Sequence, residues 1–336
     1  MSKPRRVSLE ICIASVDDAL AAAQGGAQRL ELNCALELGG LTPSLGVLRA
    51  IKQLVALPVI AMLRPRAGGF CYSANDFSAM LVDAEMLLAN GADGLAFGFL
   101  HANGEIDFER CRQVRKLIGQ KQAVFHRAFD VVPAPFATLE TLCELGFHRV
   151  MSSGQETSAY NGSTLLAELH ERAAGRIEIL PAGGINRFNV ADILSRTGCN
   201  QVHASLRSLC LDSSVSAKPH LHFGKTSSTE TLYEATDAEK DKQHKDASHD
   251  VREHERLCPD DLAGPASINA DVADFAQRPG IVRHGPIPPH EPGPEHRRGA
   301  IQDLDHRHLD GQPERCRHAQ AQDQPHVRQY PAAAPR

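Results

Sequence analysis

The stretch Ala123-Val124-Phe125-His126-Arg127-Ala128-Phe129-Asp130 decides how the chain folds. An apolar run ending in valine and phenylalanine passes without a break into histidine, arginine and aspartate. A strand buried on both faces reads as a near-continuous apolar run. In parallel α/β folds the ligand sits at the carboxyl ends of such strands. His126, Arg127 and Asp130 are therefore expected at the rim of a cleft.

Working outward, the same grammar repeats on both sides. Strands are predicted at residues 7–13, 29–33, 58–63 and 94–99, in the quoted stretch from Ala123, and at 148–152, 176–180 and 200–205, and several end on polar residues. Helical segments separate them. Ser15 is the expected N-cap of the first, with Asp17 and Asp18 in its first turn and Gly25-Gly26 ending it. Short strands alternating with helices imply parallel pairing through helical crossovers. Eight such units predict an α/β fold of the (β/α)8 TIM-barrel type over residues 7–236. The eighth helix cannot be placed.

Beyond residue 236 the character changes. From Asp241 to Arg336 the chain holds ten of its 17 His and 12 of its 20 Pro, but only Phe275 and Tyr330 as aromatics. Such a segment buries too little apolar surface to offset its ordering entropy. Residues 237–336 are expected to be a disordered, low-complexity tail. A shifted reading frame near residue 240 explains this composition as well as a genuine extension does. Histidines in the tail are too dispersed for composition alone to signal metal binding.

The totals exclude several function classes. With 336 residues, 42% hydrophobic residues and a net charge of -5, the chain is neither a polycation nor a membrane span. Aromatics at 5% and no Trp argue against stacking platforms for nucleic acid. No apolar window is long enough to cross a bilayer. Nine Cys without CxxC pairs read as reduced thiols, hence a cytoplasmic protein. No Gly-x-Ser-x-Gly elbow, Walker A loop or HExxH helix is present.

Side-chain alternation assigns the rest. Glu10 and Cys12 share one face of the first strand, and Glu31 and Asn33 share one face of the second. Two carboxylates meeting inside the barrel suit acid–base work or a hard metal, or else a structural network with arginine. Arg64, Arg66 and Arg127 are the expected partners. His126 and His203 face the mouth from nearly opposite strands, as an acid and base would. Pro181-Ala182-Gly183-Gly184-Ile185 follows strand seven, where many TIM barrels hold phosphate on backbone N–H groups. Gly183 and Gly184, with Ser205, form the expected anion site.

These motifs together resemble a known family. Leu9-Glu10-Ile11-Cys12, Arg29-Leu30-Glu31-Leu32, Gly39-Gly40-Leu41-Thr42-Pro43-Ser44, Arg64-Pro65-Arg66, Phe70-Cys71-Tyr72-Ser73, His126-Arg127-Ala128-Phe129-Asp130, Ser153-Gly154-Gln155 and Val202-His203 occur in its order. The chain resembles the copper homeostasis protein CutC family over roughly residues 7–240. The resemblance implies a cytosolic TIM barrel associated with copper handling and reported to bind copper, with no established catalysis. Cys12 is the copper candidate by family position, and Cys34, Cys71, His126 and His203 are its candidate companions. Where the family often reads Glu-Leu-Cys, this chain has Glu31-Leu32-Asn33. Cys34 is one residue further on, which turns it to the other face. One sulfur predicts weak Cu(I) binding.

Two functions are thus expected from different classes. One is a copper homeostasis protein holding Cu(I) at Cys12. The other is an enzyme acting on a small phosphate- or carboxylate-bearing metabolite, with Glu10, Glu31, Arg64, His126, Arg127, Asp130 and His203 in the cleft. Neither involves nucleic acid or a membrane. An uncovered last strand would favour a homo-oligomer.

Overall fold

The computed structural model describes residues 7–218, 220–221 and 232–243. Strands and helices alternate from the start: β1 (Ser8–Ile13), α1 (Val16–Gly25), β2 (Arg29–Leu32), α2 (Leu45–Leu54), β3 (Val59–Met62), α3 (Ala74–Ala89), β4 (Gly94–Phe97) and α4 (Phe108–Ile118). The second half continues with β5 (Gln122–Phe125), α5 (Pro135–Glu144), β6 (Arg149–Ser152), α6 (Ser163–Ala173), β7 (Glu178–Pro181), α7 (Val190–Thr197) and β8 (Gln201–Ala204). The eight strands run in the order β7-β6-β5-β4-β3-β2-β1-β8. A parallel bridge between Ala182 and His203 brings the two ends of the sheet together. This is the (β/α)8 barrel that the alternation predicts.

Local signals set the helix ends where the sequence places them. Ser15 Oγ accepts from Asp18 N–H at the start of α1, and Gly26 closes it in the left-handed region. Ser73 and Asp76 form a reciprocal capping box on α3.

The strands bury both faces, and each face has its own core. Outward residues such as Leu9, Ile11, Leu30, Leu95 and Phe125 pack against the helices. Inside the barrel a separate apolar cluster is built from Ile60, Met62, Ala96, Val124, Met151, Leu180 and Ala182, on β3 to β7 and just beyond. Polar residues close the foot of the barrel. Arg29, Gln122, Arg149, Glu178 and Gln201 are each the first residue of their strands. Arg29 Nη2 donates to Gln201 Oε1 at 2.9 Å, and Gln201 Nε2 to Glu178 Oε2 at 3.2 Å. Arg149 bonds Gln122 and pairs with Glu178. In this fold the amino-terminal end of the strands serves stability.

Among the described residues, no helix directly follows β8. Instead β9 (Arg207–Leu211) and β10 (Leu232–Thr236) make an antiparallel hairpin. Asp18 ties it to the barrel: Oδ1 accepts from Thr236 N–H at 2.8 Å, and Oδ2 from Ala14 N–H at 2.9 Å. A helical turn over residues 238–243 follows and sets Asp241 against Gly25. Neither carboxylate oxygen of the buried Asp241 has a partner. Burial, with Asp237 and Asp18 adding to it, pushes that carboxyl up to about 7. Described structure thus reaches residue 243, past the expected boundary at 236. The remainder of the expected tail lies outside the described residues.

Candidate metal centre

Strand register assembles the centre from β1, β2 and β8. Glu10 lies beside Arg29 on β2 and beside His203 on β8, and Cys12 lies beside Glu31. Period-two alternation points all of them into the barrel. Arg29 Nε donates to Glu10 Oε2. His203 Nδ1 is 2.8 Å from Glu10 Oε1, and its Nε2 is 3.7 Å from Glu31 Oε2. Asn33 Nδ2 reaches both Glu31 Oε2 at 3.0 Å and Cys12 Sγ at 3.4 Å. One donor atom each from Cys12, Glu31 and His203 lies within 4.8 Å of the others.

Burial and charge pull these groups apart in protonation. Burial works against the Glu10 charge, but Arg29 and the His203 hydrogen bond outweigh it and hold the carboxyl far below its usual range. Burial would strip His203 of its proton, yet Glu31, Cys12 and Glu10 together hold its pKa well above the ordinary value. Burial raises Glu31, and Glu10 adds to the rise against the pull of His203. Burial also raises the Cys12 thiol. Glu31 Oε1 is buried without a partner. The centre is therefore a Glu10 carboxylate between two cations, with a second carboxyl facing a protonated imidazole and a thiol.

The mouth above is built from the loops after the strands. Arg64 spends its terminal nitrogens on backbone carbonyls, bonding Leu38 O, Gly40 O and Gly68 O at 3.0, 2.9 and 2.7 Å. It ties down the loop that carries Gly39 and Gly40, and Gly40 packs on Asn33. Arg64 is thus a clamp on two loops. His126 is buried at 3% exposure, its ring 5.0 Å from Phe70. Its Nδ1 accepts from Ala128 N–H at 3.2 Å, so the neutral ring carries its proton on Nε2. Burial, then the nearby Arg64 charge, push His126 down to about 3. Gly98 leaves room for this ring: a Cβ there would lie 2.8 Å from His126 Cε1.

Asp130 is the hub of the rim after β5 and β6. Its Oδ1 accepts from Ser152 Oγ at 2.6 Å and Ser153 N–H at 2.9 Å, and its Oδ2 from Arg127 Nε at 2.7 Å. Arg127 Nη2 also donates to Ser153 Oγ at 3.0 Å. Gly183, at φ 101°, lies beside Arg127 and Ser153. The His126–Asp130 motif and the Ser153-Gly154-Gln155 motif thus lock the loops after β5 and β6 together.

One cleft of about 570 Å³ is lined by Cys12, Glu31, Arg64, His126, Arg127, Asp130, Gly183, Gly184, His203 and Ser205. Glu10 lies beneath it, bonded to His203. The expected arginine partners of the carboxylates are not the ones found. Glu10 pairs with Arg29, which the sequence reading passed over although it alternates in step with Glu31 and Asn33. Of the expected companions of Cys12, only His203 joins it. Cys34 turns away and donates to Thr42 O at 3.1 Å, and Cys71 is exposed on its loop. Asn33, Ser152 and Ser153 are the other polar residues whose roles only the structure reveals.

The family pattern of CutC matches residues 7–208. The chain belongs to the CutC family. The CutC protein of Treponema denticola is 48% identical over 220 residues, 66% of this chain and 89% of that one. The human copper homeostasis protein cutC homolog is 46% identical over 200 residues, 60% of this chain and 73% of its own length. Among solved structures, one named for copper homeostasis protein CutC from Streptococcus agalactiae superimposes with a TM-score of 0.57 at 31% identity. It covers 59% of this chain and 97% of its own. The family match thus falls on the barrel, where every residue of the centre lies. No helix among the described residues is long and apolar enough to cross a membrane.

Proposed function

We propose that this CutC-family chain handles copper in the cytoplasm, taking Cu(I) as cargo at the floor of the barrel mouth. Cys12 supplies the thiolate and His203 Nε2 the second donor. The observation that carries this reading is the convergence of Cys12, Glu31 and His203 within 4.8 Å in a buried site that opens on a cleft. Thiolate and imidazole are the protein donors that suit Cu(I) among those present. A single thiolate, with Asn33 beside it instead of a second sulfur, makes the binding weak. Titration of Cu(I) against a competing chelator tests this. Cys12→Ser and His203→Ala are each expected to abolish competition. Nanomolar binding that survives Cys12→Ser rejects the site.

A second reading rests on the rim. Arg127, Gly183, Gly184 and Ser205 line the same cleft as the neutral His126 and Glu31. A small anionic metabolite would be anchored at Arg127 and the glycine loop, with Glu31 and His203 exchanging protons below. Phosphate should then raise the melting temperature, and Arg127→Ala should remove most of the rise.

A further inference from the structure

The donor set holds more than Cu(I) uses. Cu(I) is a soft ion and has little affinity for carboxylate oxygen. Ions of the zinc class take thiolate, imidazole and carboxylate alike, at about 2.0–2.3 Å. Glu31 is one of the three converging donors, it is 2% exposed, and its Oε1 has no partner.

Charge points the same way. Once they bind metal, Cys12 and Glu31 carry two negative charges and His203 none. Glu10 and Arg29 neutralise each other through their direct contact. A dication in the triad leaves the buried centre neutral. A monovalent ion on Cys12 and His203 reaches the same neutrality only with Glu31 protonated and not ligating; held by all three ligands it leaves one net negative charge in a desolvated site.

The orientation of His203 completes the case. Its Nδ1 is engaged by Glu10 Oε1 at 2.8 Å, while Nε2 faces Glu31. A carboxylate behind a ligating imidazole fixes its tautomer and raises its basicity toward a metal. Three protein donors at the floor of an open cleft also match a zinc site with its fourth position free.

We infer that Cys12, Glu31 and His203 form a site for a divalent cation of the zinc class, in which Glu31 is the ligand that Cu(I) does not use. The inference rests on reading the triad as a metal centre and adds the kind of ion it holds. Glu10 acts as a positioning residue through His203, and the fourth coordination position faces the cleft.

The test uses the full chain with Co²⁺ and Zn²⁺, and in parallel with Cu(I). Co²⁺ should produce a thiolate-to-cobalt charge-transfer band that Zn²⁺ bleaches and Cys12→Ser removes. Dependence on Cys12 separates this signal from any binding by the histidines beyond residue 240. Glu31→Gln should weaken Zn²⁺ binding by about tenfold or more. It should change Cu(I) binding by less than about threefold, well under 1 kcal/mol. If the wild type binds Cu(I) but gives no cobalt band, the inference fails and the copper reading stands. Equal weakening of both ions by Glu31→Gln also overturns it. If neither ion binds through Cys12, both readings fall. Should Glu31→Gln not fold, the wild-type cobalt spectrum and its loss in Cys12→Ser decide alone.

Discussion

The barrel interior has two sides, and each carries a histidine in the opposite state. On the side of β8, β1 and β2, His203 sits between two carboxylates and keeps its proton. Across the barrel, beyond the apolar cluster of β3 to β7, His126 is packed against Phe70, near Arg64, and gives its proton up. Both are enclosed, so burial alone cannot account for the difference. What differs is the neighbouring charge. The polar side is a connected set of donors and acceptors that stabilises ions. The apolar side is a packed wall of β3 to β7 side chains, with the Arg64 guanidinium as the charge nearest His126. Chemistry needing charge belongs to the first, and the second gives it a low-dielectric backing.

The comparison can be broken most severely at Glu10. Glu10→Ala leaves Arg29 buried without its partner and His203 without its anchor. Loss of one member of a buried pair costs about 3–5 kcal/mol, to be read from urea unfolding at neutral pH. A loss below 1 kcal/mol would show that the polar side is not a connected unit.

The two histidines should also separate in pH. For His126 the folded value is about 3 against an ordinary 6.5, so the unfolded chain binds the extra proton between them. Its contribution is fully present above about pH 6.5 and is lost as pH falls toward 3, on the order of a few kcal/mol. His126→Phe keeps a ring against Phe70 and should flatten the fall in melting temperature between pH 6.5 and 4. An unchanged acid limb would assign that loss to other groups. His203 has the opposite sign: its raised value makes its contribution present below 6.5 and lost as pH rises through the higher folded value.

A milder change sharpens the polar side. Asn33 Nδ2 is 3.4 Å from Cys12 Sγ. Asn33→Cys would set a second thiol beside the first and should tighten Cu(I) binding by about tenfold, or ~1.4 kcal/mol. Chelator competition would read it, and no gain would mean that Cys12 is not the copper ligand. The smallest effect is expected on the apolar side. Ile60→Val removes one buried methylene, costs about 0.5–1.5 kcal/mol, and should leave metal binding unchanged.

How much of this was legible in the sequence follows from the range of each interaction. Strand alternation put Glu10, Cys12, Glu31, Asn33 and His203 on inward faces, because a two-residue period needs no partner. The Ser15 cap was local too. Which inward residues touch is a matter of register between strands far apart in the chain. The role of Arg29 was therefore not legible, nor was the clamp by which Arg64, a residue of the cleft lining, holds the carbonyls of two loops. The pairing of β9 with β10 was not legible, and its tie to the barrel, Thr236 N–H to Asp18, spans 218 residues.

The contact between Glu10 and His203 spans 193 residues. A ribosome adding about 5–20 residues per second releases Glu10 about 10–40 s before His203. Until β8 arrives, β1 with Glu10 and Cys12 is an open sheet edge, and neither has an imidazole beside it. No nascent chain or proteolytic fragment that ends short of β8 carries the centre. On the proposed reading, metal occupancy of this site would report ring closure, and a stalled or truncated chain would announce itself by failing to take up metal.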